Sequence, residues 1–478
     1  MNSQKIKNSI LLITVLACLC LTACARYGPV ALDPTYNAET IPDTSAISIS
    51  LEETESEGEE GETEETDPET EPEEIDTRVP TKVKGIYLAS KPLANQEFMS
   101  TFWDTMDNTE LNAVVIDIKD DYGKVTYDMQ NVPALVELKS IEVSIEDMPA
   151  LMAKFKEHGI YTIARIVSMR DPHLGYVKPE WCLTLPDGTV FRDNSNYAWI
   201  NPYKTEYWDY LLDIGRQCAK DGFDEIQFDY IRFCTERGSG DCVYDEEDVK
   251  GRDKISIITE LVQYLYDNLR AEGVFVSCDV FGTIIRSKID SRSVGQSYSQ
   301  LASIINYICP MIYPSHYASG SFGLDHPDTQ PYEAIIGALK RSRSELASAR
   351  EEYDGRQAVV RPWLQSFTAT WLGGGNYMKY DADAVRKEIQ GVYDSGYDEW
   401  ILWSASVKYF YEGLLTQAEG DAEYERILES RAALPPEEDP ANEEETFPVE
   451  LQEALDGDEL RPEDEAVLLE DGPIVSYE

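Results

Sequence analysis

Between Val83 and about Leu415 the chain alternates short apolar and aromatic runs with longer stretches whose apolar residues recur at helical spacing. The runs Lys84–Ala89, Ala113–Ile118, Ile160–Val167, Glu225–Tyr230, Val274–Asp279, Tyr307–Tyr313, Ala358–Leu364 and Glu399–Ser404 read as strands. Amphipathic periodicity predicts helices over Gln96–Asn108, Ile145–His158, Thr205–Lys220, Asp253–Glu272, Gln296–Ile305, Tyr332–Arg350 and Asp381–Ser395. Gly159 directly after the second of these suits a left-handed C-terminal cap. An insertion spans Asp171–Pro202, with Leu185-Pro186-Asp187-Gly188 as a hairpin turn. Strand–helix units repeated in this way imply an α/β fold whose natural closure is a (β/α)8 TIM barrel. A doubly wound open sheet is the alternative. It asks for a Gly-rich phosphate turn after the first strand, and Leu88-Ala89-Ser90-Lys91-Pro92 is not one. Gly373-Gly374-Gly375 comes late and reads as a flexible loop.

The flanks are different in kind. Lys5 and Lys7 precede an apolar run from Ile10 to Leu21, too short for a confident membrane span, and the pattern is that of a signal peptide. Leu21-Thr22-Ala23-Cys24 resembles the lipobox of bacterial lipoproteins, which implies lipidation at Cys24 as the first mature residue. An ordinary secretory signal with a chance cysteine is the alternative. The formal net charge of −49 is concentrated in Glu52–Asp76 and in the tail after Leu434. Such acidic, apolar-poor blocks cannot bury enough surface to order themselves, so they read as solvated spacers. The division that follows is a signal over 1–23, an acidic tether over 24–79, the barrel over 80–432 and an acidic tail over 433–478. Localisation is then extracytoplasmic, with the chain lipid-anchored to the membrane through Cys24. Nothing basic is concentrated enough to bind nucleic acid.

Of nine cysteines, Cys182, Cys218, Cys234, Cys242, Cys278 and Cys309 remain once the N-terminal three are set aside. Cys234 and Cys242 flank a polar, Gly-containing loop and are the expected disulfide. Cys278 and Cys309 sit in apolar runs as small buried hydrophobes. With no Cys-x-x-Cys pair and four His, no metal site is expected, and no cofactor is implied.

The densest chemistry lies in Asp221–Phe233, where an apolar strand ends on Asp229 and runs on into Tyr230 and Arg232. Catalytic groups of parallel barrels sit at C-terminal strand ends. Asp117, Asp229 and Asp279 all occupy such ends, and neighbouring strands lie roughly 5 Å apart, a separation suited to the two carboxyls of glycoside hydrolysis. Asp229 is the expected nucleophile or charge stabiliser, kept ionised by Arg232, and Asp279 the expected acid. Each could instead be structural, pairing with Arg165, Arg232 or Lys119. For Asp117 substrate binding or a structural pair is the favoured role. Aromatics that can stack on sugar faces recur at the same end: Tyr87, Tyr230, Tyr313, Trp363 and Trp403. His316 and Gln365 follow strands six and seven, and with Arg165 and Arg232 complete the candidate substrate contacts.

Lys84-Gly-Ile-Tyr-Leu88, Val114-Val-Ile-Asp-Ile-Lys-Asp-Asp-Tyr-Gly123, Gly222-Phe-Asp-Glu-Ile-Gln-Phe-Asp-Tyr-Ile-Arg-Phe233, Cys309-Pro-Met-Ile-Tyr-Pro-Ser-His-Tyr317 and Arg361-Pro-Trp-Leu-Gln365 together resemble a bacterial glycosyl hydrolase-like domain family without an established substrate. The resemblance spans about Val83 to Leu415 and implies a barrel glycosidase. The central motif is also similar to the chitinase-type pattern Asp-x-x-Asp-x-Asp-x-Glu. Asp224 and Asp229 match its first and third acids, while Gln227 and Ile231 replace the second Asp and the catalytic Glu, which excludes a substrate-assisted mechanism on this strand. Against α-amylase-type barrels, Asp229 matches the strand-four nucleophile and Asp279 stands where those enzymes carry Glu. Gln227 replaces their Arg, and Gln365 falls where they hold a third acid. Two function classes follow: a glycoside hydrolase acting on a cell-wall or extracellular polysaccharide, or a catalytically silent barrel that binds glycan.

Overall fold

The structure, a computed structural model, describes residues 78–432. Eight parallel strands close on themselves: β1 (Lys84–Leu88), β2 (Ala113–Lys119), β3 (Tyr161–Val167), β4 (Glu225–Asp229), β5 (Phe275–Phe281), β6 (Tyr307–Met311), β7 (Trp363–Gln365) and β8 (Trp400–Trp403). Closure is direct, because β1 pairs with β2 (Gly85 beside Ala113) and with β8 (Lys84 beside Trp400). A two-residue strand, Val359–Val360, extends the β6 edge just before β7. The outer ring holds α1 (Gln96–Asn108), α2 (Met148–Glu157), α3 (Glu206–Lys220), α4 (Lys254–Arg270), α5 (Tyr298–Ala302), α6 (Pro331–Ser348), α7 (Ala382–Asp394) and α8 (Gln417–Ala432). The fold is a (β/α)8 TIM barrel, and the open-sheet alternative is excluded by that closure.

Local chemistry explains the boundaries. Asp147, Asp253 and Asp381 cap α2, α4 and α7 by accepting a backbone N–H from three residues ahead. Every residue of β2 and β3 is buried, as strands covered on both faces must be. The expected helix over Gln296–Ile305 shortens to α5, preceded by a separate helical segment, Lys288–Val294. Gly295, at φ +77°, ends that segment, and a Cβ there would meet the Lys254 carbonyl oxygen at 2.6 Å. The Leu185–Gly188 turn forms as expected, closed by Leu185 N–H on the Thr189 carbonyl at 2.8 Å. Between β2 and α2 an unforeseen pair of short strands, Val125–Tyr127 and Ile141–Ile145, extends the sheet.

The interior is closed at the N-terminal strand ends by a buried ionic cluster. Arg361 bonds Glu225 at 2.8 Å and Glu399 at 2.7 Å, and its guanidinium lies 3.8 Å from the Tyr307 ring centroid. Tyr161 adds a hydroxyl bond to Glu225 at 3.0 Å. Nearby, Asp398 receives Lys82 at 3.1 Å from the chain's entry into the barrel and Arg431 at 2.7 Å from α8.

The expected Cys234–Cys242 disulfide is absent: both are free, buried thiols. Burial pushes them up to about 12 and about 11 respectively. The loop is fastened differently, by a 3-10 turn over Ser239–Asp241 and by Val243 N–H on the Thr184 carbonyl at 2.9 Å. Cys24, the signal segment, the acidic tether to residue 77 and the tail from 433 lie outside the described residues. Among the described residues no helix is long and apolar enough to cross a membrane.

Candidate active site

The half of the barrel toward the C-terminal strand ends gathers Tyr87 from β1, Asp117 from β2, Arg165 from β3, Asp229 from β4, Asp279 from β5 and Trp403 from β8, with Trp363 from the start of β7 beneath them. Arg165 organises them. Its Nη1 donates to Asp117 Oδ1 at 2.6 Å and its Nε to Asp229 Oδ2 at 2.9 Å, so one buried guanidinium joins two carboxylates. It also lies 5.5 Å from the Trp403 ring centroid and 5.8 Å from that of Tyr87. The guanidinium on Asp229 is therefore supplied by the neighbouring strand, where the sequence pointed to Arg232. Arg232 stacks over Phe281 at 4.3 Å, Trp199 at 4.9 Å and Tyr230 at 5.2 Å.

The three acids stand in different environments. Burial pushes Asp117 up to about 7, with Arg165 pulling it back down and Asp121 adding to the rise. Tyr87 donates its hydroxyl to the same carboxyl. Asp279 is held well above the usual carboxylate range, first by burial and then by the charge of Asp229, against the pull of the Trp363 indole. That indole N–H donates to Asp279 Oδ1 at 2.6 Å, while Oδ2 is buried without a hydrogen-bond partner. An unpaired, solvent-free carboxylate oxygen is costly, so Asp279 is the neutral acid of the group. Asp229 instead has a cation on one oxygen and the Tyr230 N–H on the other at 2.6 Å.

Tyr230 follows Asp229 with φ +50°, a left-handed backbone that a bulky residue adopts only under constraint. The constraint is visible: its N–H is taken by Asp229, its carbonyl by Met169 N–H at 3.0 Å and its hydroxyl by Arg170 at 3.1 Å. Tyr313 is buried two residues beyond β6, edge-on to His316 at 5.1 Å and to Phe367 at 5.8 Å. Burial raises its phenol well above the ordinary value, and the charges of Asp279 and Asp229 raise it further. His316 is half-buried, its Nδ1 3.0 Å from the Ser315 hydroxyl. Trp403 is half-buried, 4.2 Å from the Tyr87 ring and edge-on to Trp363 at 5.6 Å. Trp363, 1% exposed, forms the floor.

Gln365 stands apart from the other candidates. It is fully buried, its amide donating to Asp328 at 2.7 Å and to the Phe367 carbonyl while accepting from Ser315 at 2.7 Å. Those bonds fix the loops after β6 and β7 and occupy both ends of the amide. Sequence reasoning missed Asp121, whose side chain is 29% exposed at the rim, 3.6 Å from Arg165 and 3.7 Å from Arg170. Its signal was present in Lys119-Asp-Asp-Tyr-Gly123, overshadowed by the strand-end Asp117.

A family model described as "putative glycosyl hydrolase domain" matches residues 85–409, which includes every one of these side chains. The chain belongs to that family. As a member of it, the protein carries a glycosyl hydrolase-like barrel with this cluster in its mouth. No protein of curated function matches the sequence. Among solved structures it is similar to a hypothetical protein from Ruminiclostridium thermocellum, 35% identical over 41% of this chain and 97% of that one, with a TM-score of 0.38. The glycoside hydrolase domain of PgaB (BpsB) from Bordetella bronchiseptica is 11% identical over 75% of this chain and 100% of that one, at a TM-score of 0.45. The α-galactosidase TtGalA from Thermus thermophilus is 11% identical over 73% and 62%, at 0.43.

Proposed function

We propose that the protein is a glycosidase acting on a cell-wall or extracellular polysaccharide, tethered outside the cell membrane through a lipid on Cys24. The observation that carries the catalytic part is the contrast between two acids on adjacent strands. Asp229 is ion-paired with Arg165, and Asp279 is a neutral, buried acid whose free oxygen has no partner. Glycoside hydrolysis uses that division, one carboxylate to attack or activate water and one protonated carboxyl to serve the leaving oxygen. The family supports a glycosyl hydrolase; the polysaccharide class, the anchor and the surface location are inferred from the sequence.

A glycan-binding protein without turnover is the second reading. It is favoured by the closure of Asp279 Oδ2 from solvent and by the full engagement of both Asp229 oxygens. One experiment separates the two. Purified protein is incubated with a panel of polysaccharides while binding and new reducing ends are both recorded. Turnover that Asp229→Asn abolishes supports hydrolysis; binding with no new reducing ends from the wild type hands the case to the second reading. For the anchor, Cys24→Ala should shift the protein from the detergent phase to the aqueous phase, and unchanged partitioning would refute it.

A further inference from the structure

A groove of about 440 Å3 opens between the start of α1 and the segment following β8. Glu97, Phe98 and Thr101 form one wall; Lys408, Tyr409 and Tyr411 form the other. Both segments leave C-terminal strand ends, of β1 and β8, and those two strands are paired. The groove therefore lies at the rim of the barrel mouth. Its link to the acids is a chain of contacts. Tyr409 donates its hydroxyl to the Tyr87 carbonyl at 2.5 Å, Tyr87 bonds Asp117, and Asp117 shares Arg165 with Asp229.

The backbone supplies an independent sign. Val407, which also lines the groove, has φ +55°, an outlier for a β-branched residue. A bond from its N–H to the Ser404 carbonyl at 2.9 Å holds it there. Strain of this kind persists where the surroundings impose it, and it clusters at ligand clamps.

The lining selects a ligand class. Its size falls within the range of small-molecule sites, about 300–1,000 Å3. Aromatic walls offer faces to C–H surfaces, while Thr101, Glu97 and Lys408 offer hydrogen bonds at the edge. Glu97 and Lys408 make no ion pair with a described residue, and they cancel in charge, which suits a neutral, hydroxyl-rich ring over an ionic or purely apolar ligand.

We infer that this groove is a distal subsite for a neutral sugar unit of the same glycan whose reacting bond lies over Asp229. The inference rests on the glycan-processing reading above and deepens it: the protein engages a chain several units long rather than a single terminal sugar.

The test uses the full chain carrying Asp229→Asn, which blocks turnover, and the probes are cellulose, chitin, starch and peptidoglycan-strand oligomers from the disaccharide upward. Affinity for at least one series should rise with length. Tyr411→Ala and the exposed Lys408→Ala should each lower the ratio of long-chain to disaccharide affinity about tenfold. No rise with length in any series, or a rise that both variants leave intact, overturns the inference. Length-dependent binding that the variants flatten, combined with no turnover by the wild type, sinks hydrolysis while leaving the subsite standing. Turnover of oligomers by the wild type, combined with length-dependent binding that both variants leave unaltered, does the reverse.

Discussion

Replacing Arg165 with Met removes the one guanidinium that joins Asp117 and Asp229 while keeping much of the side chain's volume. Removing one partner of a buried ion pair costs about 3–5 kcal/mol, because the remaining charge stays desolvated. Against a typical domain stability of about 5–15 kcal/mol, the variant should fold but be weakened. The pH dependence identifies the cause. Asp117 already sits at about 7 with Arg165 lowering it, against an unfolded value near 3.8, so it must climb further once that cation is gone. A carboxyl raised in the folded state stabilises when protonated, and that stability is lost as pH rises through the folded value. In the wild type the loss is complete soon above pH 7; in Arg165→Met it continues upward. The stability gap should therefore widen between pH 6 and pH 9, by about 1.4 kcal/mol for each unit of additional rise. Urea unfolding followed by tryptophan fluorescence at the two pH values measures it, and adding Asp117→Asn should shrink the widening, the remainder coming from the other buried acids that Arg165 serves. An equal gap at both pH values would refute the electrostatic account and leave only the packing of Arg165 against Tyr87 and Trp403.

If Asp279 is the proton donor, turnover should fall as pH rises through its elevated value, and Asp279→Asn should abolish that alkaline limb while sparing substrates with good leaving groups. Initial rates across pH on activated and unactivated glycosides decide it. Gly123→Ala should destabilise the protein by about 2 kcal/mol or more, since φ is +76° and the new Cβ would sit 2.1 Å from Asp171, the buried partner of Lys119 at 2.8 Å; thermal melts check this. Cys234 and Cys242 should alkylate after unfolding without reductant, and mass spectrometry finding them joined would contradict the free thiols of the structure.

The barrel was legible because its strands are apolar runs with turn residues between them, so length and period marked each one. Asp117, Asp229 and Asp279 were legible as strand-end acids for the same reason. What joins them was legible only in part, since Arg165 was named as one of three possible partners beside Arg232 and Lys119. It lies mid-strand in an apolar run, and its reach to Asp117 on one side and Asp229 on the other depends on strand order and register, which local pattern does not encode. Arg232, adjacent in sequence to Asp229, was the natural choice on proximity alone. The Arg361–Glu225–Glu399 cluster escaped notice altogether, its members being 136 and 38 residues from their partner. Gln365 looked available because a strand-end amide is often exposed; tertiary bonds to Ser315 and Asp328 and a local one to Phe367 occupy it instead. The short strands Val125–Tyr127 and Ile141–Ile145 are too brief for a period to register.

The clasp around Asp398 has a directional consequence. Lys82 and Arg431 meet that one carboxylate, so the described chain enters and leaves the barrel on the same side. Asp398 immediately precedes Glu399, which belongs to the buried cluster opposite the mouth. Both ends of the described chain thus lie on the face opposite the cleft. A bulky label joined at Arg78 or at Ala432 would therefore sit clear of the cleft and leave its mouth open to a large ligand.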